Sequence, residues 1–170
     1  MLTAVLIILA VVATDQLTKY LALTLLRPIH RFPVIDGIFE FCFVRNRGAA
    51  WGMLADKRWL FMTISVVSLL LMLSYLIFTK NKHPFFVVSL SLIIGGGTGN
   101  MIDRLFYEDG AVVDFLYFKL IDFPVFNIAD CGVTIGAILL LFYIIYFETI
   151  KPYLKSKTVK DNKNGKDIVQ

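Results

Sequence analysis

Four long apolar runs, at about residues 2–26, 59–78, 85–105 and 126–147, dominate this sequence and limit what it can fold into. A bilayer core of about 30 Å takes about 20 mostly apolar helical residues, so each run is long enough to cross it. The reading is an all-α membrane protein, a four-transmembrane-helix bundle. Composition agrees: 58% of residues are hydrophobic and 18% charged, against about a quarter charged in an ordinary soluble domain. The first run lacks the charged start of a cleavable signal and outlasts a usual signal core, so it is expected to remain as a span.

The charge is unevenly placed. The net charge is +4, and residues 151–170 hold six Lys against Asp161 and Asp167, leaving eleven bases and eleven acids elsewhere. A membrane domain of residues 1–150 followed by a basic, disordered tail is therefore expected. A Lys-rich segment after a last span marks the cytoplasmic side and adheres to anionic membrane lipid. Nucleic acid is not an expected partner, because no Arg and only one aromatic, Tyr153, are interleaved with these Lys. Four spans put both termini on the cytoplasmic side and loops 27–58 and 106–125 outside. The charge rule alone does not decide this orientation, since Arg27, Arg31, Arg45, Arg47, Lys57 and Arg58 lie in the first loop. Cys42 and Cys131, the only cysteines, have no CxxC or His/Cys metal spacing, so no metal is expected. A disulfide between them stays open, with unpaired thiols the simpler reading.

The loops are greasy. Phe32–Ile35, then Asp36-Gly37, then Ile38–Val44 predict a hairpin. Its apolar residues suit a small extracytoplasmic β-sheet element lying on the membrane surface. Trp51–Leu54 reads as a short interfacial helix. A strand-like alternation recurs through Phe115, Tyr117 and Lys119 and ends at Pro124. The second span has no ionisable group inside it and reads as a packing helix. In the third, Gly95 and Gly99 form a GxxxG pair, with Gly96 and Gly97 between them. Close helix packing explains them, since a phosphate-binding loop needs a preceding strand.

Charged groups inside spans are costly, about 3 kcal/mol each at a helix centre for Asp or Lys, and so mark function. Spans one and three leave toward the face from which span four enters. Asp15 with Lys19, then Asn100, Asp103 and Arg104, then Asn127 and Asp130 therefore converge in one leaflet, beneath the loops that carry Asn46 and Asp114. No HExxH or Gly-x-Ser-x-Gly occurs, and His30 and His83 fall in loops on opposite faces, so His-based catalysis is disfavoured. Two carboxyls brought together in a poorly solvated site share a proton, and such a pair suits peptide hydrolysis. A small transporter or channel with a carboxylate-lined path is the alternative. Spacing alone does not choose the pair, because Asp15 and Asp103 compete with Asp114 and Asp130.

Five ordered motifs add to this: DQLTK at 15–19, NRGAAWG at 46–52, GNMIDR at 99–104, VVDF at 112–115 and FNIAD at 126–130. Together they resemble the lipoprotein signal peptidases, the signal peptidase II family, across all four spans and both outer loops. The resemblance implies an aspartic endopeptidase with Asp114 and Asp130 as catalytic residues. Its substrate would be a diacylglyceryl-modified prolipoprotein, cut before the lipidated cysteine. It further implies that Asn46, Asn100, Arg104 and Asn127 bind substrate or order the site, that Asp15, Lys19, Asp103 and Gly48 support it, and that no cofactor is needed. The expected location is the bacterial cytoplasmic membrane, with the site near its outer face and the chain monomeric. Trp51, Arg47 and Cys131 depart slightly from the family pattern. Cys131 is not expected to act as a nucleophile, having no evident base beside it.

Overall fold

The structure is a computed structural model and describes residues 1–48, 58–80, 83–153 and 155. Trp51–Leu54, Lys57, Lys82 and nearly all of the basic tail lie outside the described residues. Helix α1, Leu2–Leu21, widens into a π-helical turn at Ala22–Leu26. Helices α2, Arg58–Phe78, and α3, Pro84–Phe106, follow, and α4, Ile128–Tyr143, runs on into a π-helical stretch at Ile144–Ile150. Pro84 opens α3, where a missing N–H costs nothing. Among the described residues, three segments are long and apolar enough to cross a membrane: Leu2–Leu26, Pro84–Phe106 and Ile128–Tyr153. The apolar part of α2, Met62–Phe78, is shorter.

Helix α3 is central and packs most broadly on α4 and α1. Glycines make this possible. A Cβ on Gly96 would overlap the Ala129 carbonyl of α4, and one on Gly99 would come within 2.5 Å of Asp15 Oδ2 of α1. Gly96→Val is therefore expected to force α3 and α4 apart and cost about 3 kcal/mol or more, read as a lowered melting temperature and yield in detergent. Away from these contacts the helices turn Leu6, Leu9, Leu70, Leu71 and Leu141 outward, as suits lipid. A core of Ala4, Leu76, Phe86, Leu90, Ile94 and Tyr143 joins the four helices at one end.

At the other end lies an antiparallel three-stranded sheet in the order β1, Arg31–Ile35, β2, Phe39–Asn46, and β3, Val112–Phe118. Ala22, Leu26, Val113 and Phe115 pack together and dock it onto the end of α1. The hairpin lies where the sequence predicted it, with Gly37 at φ 74° in the turn. Strand β2, however, runs two residues past Val44, because β3 supplies partners for Val44 with Asp114 and for Asn46 with Val112. The expected alternation through Phe115, Tyr117 and Lys119 does not hold. Val112–Phe115 are all buried, and Lys119 falls in a 3-10 turn, Lys119–Ile121. A strand covered on both faces has no polar side to display. Phe126 forms a bridge with Leu116, so α4 starts only after Asn127.

Candidate active site

The floor of the site is an ion cluster between α1 and α3. One turn of helix separates Asp15 and Lys19, so they share a face, and Lys19 Nζ lies 2.9 Å from Asp15 Oδ2. It also lies 3.1 Å from Asp103 Oδ2 and donates to Asn100 Oδ1 at 2.9 Å. Asp15, Lys19 and Asp103 are buried almost completely. Lys19 thus takes both acids. Arg104 instead turns toward the loop and donates to Gly48 O at 3.3 Å.

Each of these acids also accepts one backbone N–H: Val113 N donates to Asp103 Oδ2 and Ala129 N to Asp15 Oδ1, both at 2.9 Å. These are the residues immediately before Asp114 and Asp130. Gln16, which sequence reasoning passed over as one polar residue among several, ties the cluster across. Its Nε2 donates to Asp15 Oδ2, Gly99 O and Asp103 Oδ1, each at 3.1 Å. The signal available was its place inside the DQLTK motif.

Above the floor, amides hold Asp114 and Asp130. Strand pairing brings Asn46 beside Asp114, and its Nδ2 donates to Asp114 Oδ2 at 2.9 Å. Gly48 N steadies the Asn46 side chain by donating to its Oδ1 at 3.0 Å. Asn127 Nδ2 donates to Asp114 Oδ1 at 2.6 Å and to Asn100 Oδ1 at 3.0 Å, while Asn100 Nδ2 donates to Asp130 Oδ1 at 2.7 Å. Asn127 and Asp130 also form a capping box: Asp130 N donates to Asn127 Oδ1 at 3.0 Å and Asn127 N to Asp130 Oδ2 at 3.1 Å.

Asp114 and Asp130 line one cavity of about 900 Å³. Asn46, Gly48, Asn100 and Arg104 join them in its polar lining. Phe118, Ile121, Phe123, Phe126 and Ile135 supply an apolar wall to the same cavity. Asp15, Lys19 and Asp103, by contrast, lie behind the wall and do not border the cavity. Burial, and then the neighbouring Asp130 carboxylate, push the Asp114 carboxyl up to about 7 against the pull of the Asn46 and Asn127 amides. Cys131 also borders the cavity, and it and Cys42 carry free thiols.

The family model for signal peptidase (SPase) II matches residues 7–146. The chain belongs to the signal peptidase II family. Relatives bear this out. The lipoprotein signal peptidase of Symbiobacterium thermophilum is 43% identical over 150 residues, covering 87% of this chain and 97% of that protein. That of Geobacillus kaustophilus is 40% identical over 142 residues, covering 82% and 91%. A solved bacterial membrane enzyme is similar with a TM-score of 0.81 at 37% identity, covering 89% of this chain and 92% of its own. Membership in this peptidase family displaces the ion-path alternative that the polar residues alone left open.

Proposed function

We propose that this signal peptidase II family member is a four-span aspartic endopeptidase that cuts diacylglyceryl-modified prolipoproteins immediately before the lipidated cysteine. The observation that carries the reading is the pair of carboxyls, each held by amide donors, lining one cavity that is otherwise largely apolar. Relatives that share most of this chain's length are lipoprotein signal peptidases, which supports this substrate class.

The two carboxyls divide the work. Asp130 lies in the first turn of α4, where an anion is favoured, accepts from the N–H of the cap residue Asn127, and is assigned as the base that takes a proton from water. The water oxygen attacks the carbonyl carbon preceding the cysteine. Asp114, raised toward neutrality, is assigned as the acid, and its proton goes to the cysteine nitrogen as the C–N bond breaks. The products are a signal peptide ending in a carboxylate and a free amine on the lipid-modified cysteine. Asn46, Asn100, Arg104 and Asn127 are assigned to substrate binding and to holding the carboxyls. A peptide entering from lipid brings polar backbone groups that would each cost several kcal/mol unpaired. The apolar wall suits the hydrophobic signal segment. The lipid anchor keeps the scissile bond near the carboxyls, turning encounter into a local search.

This reading places the enzyme in the bacterial cytoplasmic membrane, acting as a monomer, with residues 1–150 as the membrane domain, the sheet and cavity toward the outer face, and both termini inside. The test is purified protein in detergent with a lipid-modified precursor and no ion gradient. A single cut before the modified cysteine is expected, and intact precursor under several detergents would refute the reading. The acid role of Asp114 also sets a pH dependence. The carboxyl must hold its proton, so initial rates are expected to fall as pH rises through about 7. A rate that stays flat to pH 9 would remove Asp114 from that role.

A further inference from the structure

We propose that Lys19 is a positioning residue that fixes the spacing of the two cavity carboxyls, because its ammonium joins both of their supports and Asn100 as well. The inference rests on the proposed dyad of Asp114 and Asp130 and adds what holds its two halves in register.

The two carboxyls come from elements far apart in the chain, β3 and the start of α4. Each element is held at the residue just before its aspartate. Val113 N donates to Asp103 Oδ2 and Ala129 N donates to Asp15 Oδ1, both at 2.9 Å. These two acids reach the same ammonium, at 3.1 and 2.9 Å. A third arm runs from Lys19 to Asn100 Oδ1 at 2.9 Å, which leaves Asn100 Nδ2 to donate to Asp130 Oδ1 at 2.7 Å. The three donors of the ammonium are thus all used, one on each arm. Lys19 does not border the cavity, so substrate would not meet it.

A plainer role is charge balance: one buried cation partly offsets two buried anions. Geometry and charge can be separated. In the wild type, Asp15, Lys19 and Asp103 sum to one negative charge. The double variant K19M/D103N also sums to one negative charge. It keeps an oxygen at position 103 to accept from Val113 N, but has no ammonium joining the arms. Gln16, which spans Asp15 and Asp103 with its Nε2, remains in both proteins.

The experiment compares wild type, D103N, K19M and K19M/D103N in detergent on a lipid-modified precursor, with rates taken per native molecule and melting temperatures recorded alongside. D103N, which retains Lys19 and its arms to Asp15 and Asn100, is expected to lose less than tenfold in kcat. K19M/D103N is expected to lose about 100-fold in kcat with KM changed less than threefold, the size of loss expected when reacting groups are misplaced by about 1 Å. Folded K19M/D103N turning over within twofold of D103N would overturn the proposal, as would a loss confined to KM. If K19M alone fails to fold, the charge-matched pair still decides the question. The wild-type control separates the two claims, because a wild type that does not cut refutes the proposed function rather than the role of Lys19.

Discussion

Asp114→Asn and Asp130→Asn are each expected to slow cleavage of a lipid-modified precursor by about 10³- to 10⁴-fold, with protein yield and melting behaviour close to wild type. An amide has the shape of a carboxyl but neither takes a proton from water nor gives one to the departing amine. The surroundings make each replacement more than a lost charge. Asp130 Oδ1 accepts from Asn100 Nδ2 and Oδ2 accepts from Asn127 N. An Asn there keeps one acceptor and turns an amide donor toward the other. Asn100 cannot turn over to accommodate it without losing its Oδ1 contact with Lys19. At Asp114 the same conflict arises with Asn46 or Asn127, whose Nδ2 groups face its two oxygens. Cleavage within tenfold of wild type in either variant would remove that aspartate from the reaction.

Asn127→Ala is expected to damage both rate and stability. The side chain is fully buried, caps α4, and connects Asp114, Asn100 and Val113 O through one Nδ2 at 2.6, 3.0 and 3.3 Å. Losing the cap costs about 1 kcal/mol, and a buried acceptor left unpaired adds about 1–3 kcal/mol. Melting in detergent should therefore move down clearly. Turnover should fall by about 100-fold, because Asp114 loses a donor and Asn100 loses one of the three partners that orient it. Asn127→Asp is the informative companion. It keeps an oxygen to cap Asp130 N and so retains most stability. It also places a third carboxylate against Asp114, so turnover should still fall. Equal stability losses in the two variants would argue against the cap, and full activity in the Asp variant would argue against the amide's role.

The helices were legible because lipid leaves so few alternatives: apolar runs of this length have one satisfactory backbone state. The Lys19–Asp15 pair was legible too, since four residues on a helix place both on one face. Two features were not. The extension of β2 to Asn46 depends on β3, some seventy residues later in the chain, and no local pattern announces a partner at that distance. The burial of Val112–Phe115 on both faces erased the alternation that a half-exposed strand would display. The site divides the same way. Convergence of Asp15, Asn100, Asp103, Asn127 and Asp130 followed from the course of the spans, but which acids face the cavity did not. Four carboxyls share that region, and side-chain direction sorts them: Asp15 and Asp103 turn toward Lys19 and backbone N–H groups, while Asp114 and Asp130 turn toward the cavity. The motifs named the second pair from resemblance, and the geometry gives a physical ground for preferring it.

The central claim is that Asp114 and Asp130 together direct water onto the bond before the lipid-modified cysteine. Its most direct test is a single-turnover reaction of purified protein in ¹⁸O-enriched water, with both products weighed by mass spectrometry. The account predicts a lipid-modified fragment beginning at the cysteine with no label. One heavy oxygen should appear in the new carboxyl of the released signal peptide, and neither product should form with the Asp114→Asn/Asp130→Asn protein. A labelled cut at another bond, or the same labelled cut made by the double variant, would contradict it.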